Sequence, residues 1–223
     1  MFPSHEIIAH RGLWTLPGER NTIAAFKAAL SHGHGIETDI RDCGGRLVIS
    51  HDMTRGEEQT LEAFFALYNE AGSDGTLALN IKSDGLAASL LELIREYQIE
   101  NYFCFDMSVP DSLHYQRLGL RFFARVSEVE PICSLTSSAA GVWIDAFYSE
   151  WYTFRDVIRH LESGQDVCIV SPELHGRPLE ALDPVLHETF ERLASLNAKS
   201  PLNTGRLMIC TDVPKHFMVK QCA

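Results

Sequence analysis

Apolar residues in this chain gather in short runs, and between the runs they recur every three or four positions. The runs at 6–9, 36–40, 77–82, 102–105, 122–126, 142–144, 167–170 and 207–210 suit strands buried on both faces. The intervening spacing predicts helices over 22–31, 61–71, 86–97, 154–163 and 184–196, with another near 110–118. In the first of these, Ile23, Phe26, Ala29 and Leu30 form one stripe, with Asn21 as the expected cap. In the second the stripe is Leu61, Phe64, Phe65 and Tyr68. Gly164 is a suitable C-terminal stop for the helix before it. Residues 47–50, after the Gly44-Gly45 turn, read as a short extension or hairpin arm. Eight strands with helical links, and neither repeat nor linker, predict an α/β fold, a (β/α)8 TIM barrel in a single domain spanning 1–223. An open doubly wound sheet is the competing architecture, but motifs carried by so many strands converge less readily there.

Bulk properties narrow the function. A length of 223 residues supports one domain with a full core. With 45% apolar and 22% charged residues, the composition indicates neither disorder nor a membrane span. A formal net charge of -11 argues against a broad basic surface, so nucleic acid is not an expected partner. An anionic substrate would need a local positive site. The cysteines Cys43, Cys104, Cys133, Cys168, Cys210 and Cys222 form no Cys-x-x-Cys pair, and three lie in apolar runs. Met1 to His5 lead into the first strand without a basic segment and apolar core. The expectation is a reduced, cytoplasmic setting.

In a barrel the active site lies at the C-terminal ends of the strands. His10, Glu37, Asp39, Asn80, Lys82, Asp106, Arg125, Asp145, Glu173 and Asp212 fall at or near such ends. Glu37 and Asp39 are two apart, so both side chains project from one face of an extended chain, which suits a hard cation. His10 and His51 are of the residue type that exchanges protons near neutral pH without a large shift. Asp52 is expected to orient His51, and Arg11 to contact phosphate, with Glu19 as a possible ion-pair partner of that arginine. Asn80 and Lys82 share a strand face, and an inward lysine suits charge stabilisation. Trp14 and Trp143 are packing residues or pocket walls, and 171–177 forms a charged loop at the expected rim. His5, His32, His34, His114, His160, His187 and His216 join no constellation.

His10-Arg11-Gly12, Arg20-Asn21-Thr22, Glu37-Thr38-Asp39 and His51-Asp52, in that order, resemble the glycerophosphodiester phosphodiesterase family. Asn80-Ile81-Lys82 and Thr211-Asp212-Val213-Pro214 look like its later Glu-x-Lys and Thr-Asp-x-Pro motifs. The resemblance is dense over 6–52 and thinner afterwards. It implies a metal-dependent phosphodiesterase, with His10 and His51 as acid and base in an unassigned order. Arg11 and Lys82 would hold the phosphate, and Glu37, Asp39 and Asn80 would hold Mg²⁺ or Ca²⁺. A neighbouring substrate hydroxyl would be the nucleophile, giving a cyclic phosphate first.

Three departures bear on that expectation. Arg20 stands where the family usually has glutamate, although Glu19 is adjacent. Asn80 replaces a glutamate that the family uses as a third metal ligand; as an alternative, Asn80 hydrogen-bonds a strand-end group such as Asp106. Only 53–60 separates His51-Asp52 from the next helix, where relatives commonly carry a long insertion. The expected substrate is therefore a small-molecule or head-group phosphodiester at an open mouth. The competing reading is a catalytically weak barrel that binds phosphorylated ligands or a partner protein.

Overall fold

The computed structural model describes residues 2–131, 133–199 and 205–218. Its contacts group into two compact units, one comprising 1–122 with 212–223 and the other 123–211. In chain order, eight parallel strands alternate with helices, which is the predicted (β/α)8 barrel class.

The first unit contains four parallel strands: β1 (Ile7–His10), β2 (Gly35–Cys43), β4 (Leu77–Ile81) and β5 (Tyr102–Phe105), with β2 and β4 central in the order β5-β4-β2-β1. These strands are almost wholly buried, as parallel strands covered on both faces must be. β2 runs three residues beyond the predicted end at residue 40. The extension arises because Gly44 and Gly45, both at positive φ, turn the chain into antiparallel β3 (Arg46–Ile49), pairing Ile40 with Ile49. The hairpin arm is thus real, and it places His51 directly after the returning strand.

Helices α1 (Ile23–Ser31), α2 (Leu61–Glu70), α3 (Ala87–Glu96) and α4 (Val109–Leu118) belong to the same unit. Phe26 of α1 and Phe64 of α2 meet with ring centroids 4.5 Å apart, and both are fully buried. The cap of α1 is Thr22, whose hydroxyl accepts from Ala25 N, and not Asn21 as the sequence suggests. Asn21 sits at φ 59 and is used elsewhere. A short α7 (Pro214–Phe217) completes the unit.

The second unit orders its parallel strands β9 (Leu207–Thr211), β8 (Asp166–Val170), β7 (Gly141–Ile144) and β6 (Phe123–Val126). Helices α5 (Phe154–Glu162) and α6 (Asp183–Lys199) accompany them, and Gly164 at φ 84 follows the end of α5 as predicted. Cys104, Cys168 and Cys210 are buried strand residues, and among the described residues every cysteine is a free thiol. No helix among the described residues is long and apolar enough to cross a membrane.

Removing the Phe64 ring from beneath Phe26 leaves a cavity that close-packed neighbours fill only in part. Phe64→Ala is expected to lower the unfolding free energy by about 3–5 kcal/mol. Replacement of exposed Glu92 by alanine should change it by no more than ~0.5 kcal/mol. Urea titration followed by circular dichroism measures both.

Candidate active site

Strand register brings the first unit's polar side chains together. His10 lies beside Glu37 across β1 and β2, and Asp39 lies beside Asn80 across β2 and β4. Both Glu37 and Asp39 are buried, at 1% and 0% exposure, so these charges must be compensated by protein groups or a bound ion. Asp39 is compensated from three directions. Arg11 Nε stands 3.1 Å from its Oδ2, Lys82 Nζ stands 3.3 Å from its Oδ1, and Asn21 Nδ2 donates to Oδ2 at 2.8 Å.

The backbone is bent to deliver these groups. Arg11, at φ 57, donates its amide to the Glu37 carbonyl, and Asn21 donates its amide to the Arg11 carbonyl. Gly12, at φ 85, must be glycine for a second reason: a Cβ there would lie 2.8 Å from the Ala25 backbone. Asn21 completes the arrangement by accepting from Thr38 Oγ1 at 2.8 Å while donating to Asp39. It thereby holds two successive β2 residues with the two ends of one amide. Arg11, Asn21 and Asp106 are three of the non-glycine residues at positive φ, a placement typical of functional ends of strands.

Glu37 has less compensation. Its Oε2 accepts from Arg11 N at 3.2 Å and lies 3.9 Å from His10 Nε2. Burial, and then the neighbouring Asp39 charge, push its pKa up to about 7 against the pull of His10, Arg11 and Lys82. Asn80 Oδ1 is buried and has no hydrogen-bond partner among the described residues. A set of two carboxylates and one orphaned amide oxygen is chemically suited to a hard divalent cation. No group of three or more His, Cys, Asp or Glu side chains among the described residues is placed to hold a metal ion by itself.

His10 Nδ1 is 2.8 Å from Asp212 Oδ1. His51 Nδ1 is 2.9 Å from Asp52 Oδ1, the predicted pairing, although both residues are exposed. Arg11, Arg20, Asn21, His51 and Asp52 line a cleft of about 490 Å³. Trp14 and Asp212 line another of about 380 Å³.

Some expectations are corrected. Arg11 pairs with Asp39 and not with Glu19, because Glu19 Oε2 is engaged by the Thr15 and Leu16 amides at 2.8 and 2.9 Å. Those same bonds keep Glu19 from taking the position of Arg20. Arg20 instead reaches Asp212 Oδ2 at 3.4 Å. In the second unit, the loop charges are matched internally. His175 Nε2 contacts Asp145 Oδ1 at 2.6 Å, Arg177 Nη2 donates to Glu150 at 2.6 Å, and Glu173 accepts from the Ser171 and Thr211 hydroxyls. The sequence marks Asn21 as a cap and motif residue and Asp212 as a strand-end and motif residue, without their contacts to Asp39 and His10. The Asn-Thr pair before an apolar helix resembles a cap, so its polar side chain carried no separate signal.

Comparison with solved structures finds a similar fold in a glycerophosphodiester phosphodiesterase from Agrobacterium tumefaciens str. C58. The TM-score is 0.59 at 15% sequence identity, and the match covers 95% of this chain and 98% of that one. At this identity the likeness is one of fold. No family model matches the chain, and no curated protein matches it.

The raised Glu37 pKa sets a pH dependence. An unfolded glutamate loses its proton near 4.5, whereas folded Glu37 keeps it to about 7. Between those values the unfolded state sheds the proton first, so stability falls as pH rises through the window. Below it the residue is protonated in both states and contributes no penalty. In EDTA, Glu37→Gln should therefore melt higher than wild type above pH 7 and converge with it towards pH 4.5. Parallel melting curves across that range would contradict the assignment.

Proposed function

We propose that this chain is a phosphodiesterase acting on a glycerophosphodiester-like or related phosphodiester. The observation that carries this reading is the buried Asp39 carboxylate, which draws Arg11 and Lys82 to the strand ends bearing His10, Glu37 and Asn80. The likeness in fold to a glycerophosphodiester phosphodiesterase supports it.

Arg11 engages Asp39 through Nε, so the two Nη groups of its planar fork remain suited to nonbridging phosphate oxygens. Lys82 adds a point charge held by the same carboxylate. One of His10 and His51 removes the proton from an attacking hydroxyl as its oxygen bonds to phosphorus. The other gives a proton to the alcohol oxygen as its bond to phosphorus breaks. A hydroxyl on the substrate itself would yield a cyclic phosphate first, and water would open it in a second step. Glu37, Asp39 and Asn80 would hold a divalent cation, Mg²⁺ or Ca²⁺. When bound, that ion supplies neutralisation of phosphate charge. With only 53–60 following His51-Asp52, the cleft is bordered by a short loop, which favours substrates with a bulky group on one side of the phosphate.

A second reading follows from Asn80 and the engagement of Asp39 by protein cations: a weakly catalytic barrel that binds phosphorylated ligands. Turnover separates the two. His10→Ala and His51→Ala should each lower hydrolysis of a chromogenic diester by about 10²–10⁴-fold while keeping the wild-type circular dichroism and melting point. Retained turnover in either variant removes that histidine from the chemistry. Titration with Mg²⁺, Ca²⁺ and Mn²⁺ after EDTA should restore activity, and Asn80→Ala should raise the half-maximal metal concentration, because one oxygen donor is lost. Metal-independent ligand binding without turnover would favour the second reading.

A further inference from the structure

Four residues of the first unit form a closed circuit around His10. Its ring Nδ1 is 2.8 Å from Asp212 Oδ1. The other oxygen of Asp212 accepts from Arg20 Nη2 at 3.4 Å. The Arg20 guanidinium carbon stands 4.1 Å from the centroid of the Trp14 ring. Trp14 Nε1 then donates to the carbonyl of His10 at 3.1 Å, which closes the loop.

We propose that Trp14, Arg20 and Asp212 are positioning residues that lock the ring orientation and tautomer of His10. The inference rests on the reading of His10 as an acid or base. An ionised carboxylate only accepts, so its bond to Nδ1 requires the proton on that nitrogen. In the neutral ring the lone pair is then on Nε2, the nitrogen 3.9 Å from Glu37 and on the side of the strand-end carboxylates. Arg20 restrains the second oxygen of Asp212, so the carboxylate cannot rotate without breaking an ion pair. The aromatic face of Trp14 holds the guanidinium by stacking and cation–π attraction, while the indole N–H fixes the backbone of the residue being positioned.

The loop is shaped for this delivery. Pro17–Glu19 forms a single 3-10 turn, and Glu19 clamps the Thr15 and Leu16 amides, which sets the path of the chain into Arg20. Asp212 and His10 side chains are 16% and 17% exposed, so water competes little with their bond. The arginine at residue 20 thereby has a defined task in this chain, linking the Asp212 carboxylate to the Trp14 ring.

The tautomer can be read without reference to activity. The full chain, labelled with ¹⁵N-histidine, is examined by long-range ¹H–¹⁵N correlation at a pH where the ring is neutral, with His10 assigned from the spectrum of His10→Gln. Wild type should show the Nδ1–H form. Asp212→Ala should shift His10 to the Nε2–H form or to a mixture, Arg20→Ala should give a mixture, and Arg20→Lys should recover the Nδ1–H form. On a chromogenic diester, Asp212→Ala should lower kcat by ~10²-fold or more with KM changed by less than about threefold. An unchanged His10 tautomer in Asp212→Ala, or a loss confined to KM, would overturn the proposal. Should Asp212→Ala fail to fold, Arg20→Ala and Trp14→Phe decide it, the latter by removing the N–H bond to His10 and shrinking the ring that faces Arg20, and both should give a mixture of tautomers. Retained turnover in His10→Ala would defeat the catalytic reading alone, because the tautomer measurement would still decide the circuit.

Discussion

A single buried carboxylate organises the first unit. Asp39 is fully enclosed, and an ionised aspartate in that position would be prohibitive without nearby positive charge. The chain meets the demand with Arg11 from the end of β1, Lys82 from just past β4, and the Asn21 amide from the loop before α1. These groups come from three separate segments, so satisfying one carboxylate brings three connections to one place. The same demand accounts for backbone that local preference alone would not choose. Arg11 and Asn21 adopt left-handed conformations, and their mutual amide-to-carbonyl bond helps hold them there.

The second carboxylate follows from the first. Two residues earlier on the same face, Glu37 finds the nearby cations already committed to Asp39, and its remaining partners are an amide and the more distant His10 ring. Its proton affinity rises because burial and a like charge outweigh that help. A site in which one carboxylate is surrounded by cations and the other has its pKa pushed up to about 7 has capacity for another positive charge. Asn80, paired with Asp39 in the strand register, has a buried side-chain oxygen without a hydrogen-bond partner among the described residues. If Asn80 serves as a ligand as proposed, it contributes an oxygen without adding negative charge.

What the sequence made legible, and what it did not, divides along physical lines. Buried parallel strands are continuous apolar runs, so β4, β5 and β8 could be placed closely, as could His10 and Lys82 at strand ends, whereas Glu37 and Asp39 lie inside β2, which continues to Cys43. The two-residue spacing of the acidic pair carried its shared face directly. Loop partners were a different matter. Whether Arg11 meets Glu19 or Asp39 depends on the two amides that capture Glu19, and no periodicity encodes those. Asp212 and His10 are separated by 202 positions, so their bond belongs to topology and not to any local pattern. Asn21 was read as a cap because Asn and Thr both cap helices; the structure gives that task to Thr22 and frees the amide for β2.

The second unit offers by contrast three acidic groups whose charges are matched. Asp145 is met by His175 and the Ala146 amide, Glu150 by Arg177, and Glu173 by two hydroxyls. These three acidic groups are answered by donors from their own unit, an arrangement that stabilises loops without calling for a ligand. In the first unit the compensation is uneven: Asp39 has three partners, Glu37 has few, and an acceptor oxygen of Asn80 has none among the described residues. Both units contain charged residues at strand ends, so the presence of such residues does not by itself distinguish a working site from a structural one. What supports the proposed reading is the imbalance at Glu37 and Asn80, because a buried acceptor left unanswered gains stability only when something else supplies the missing charge.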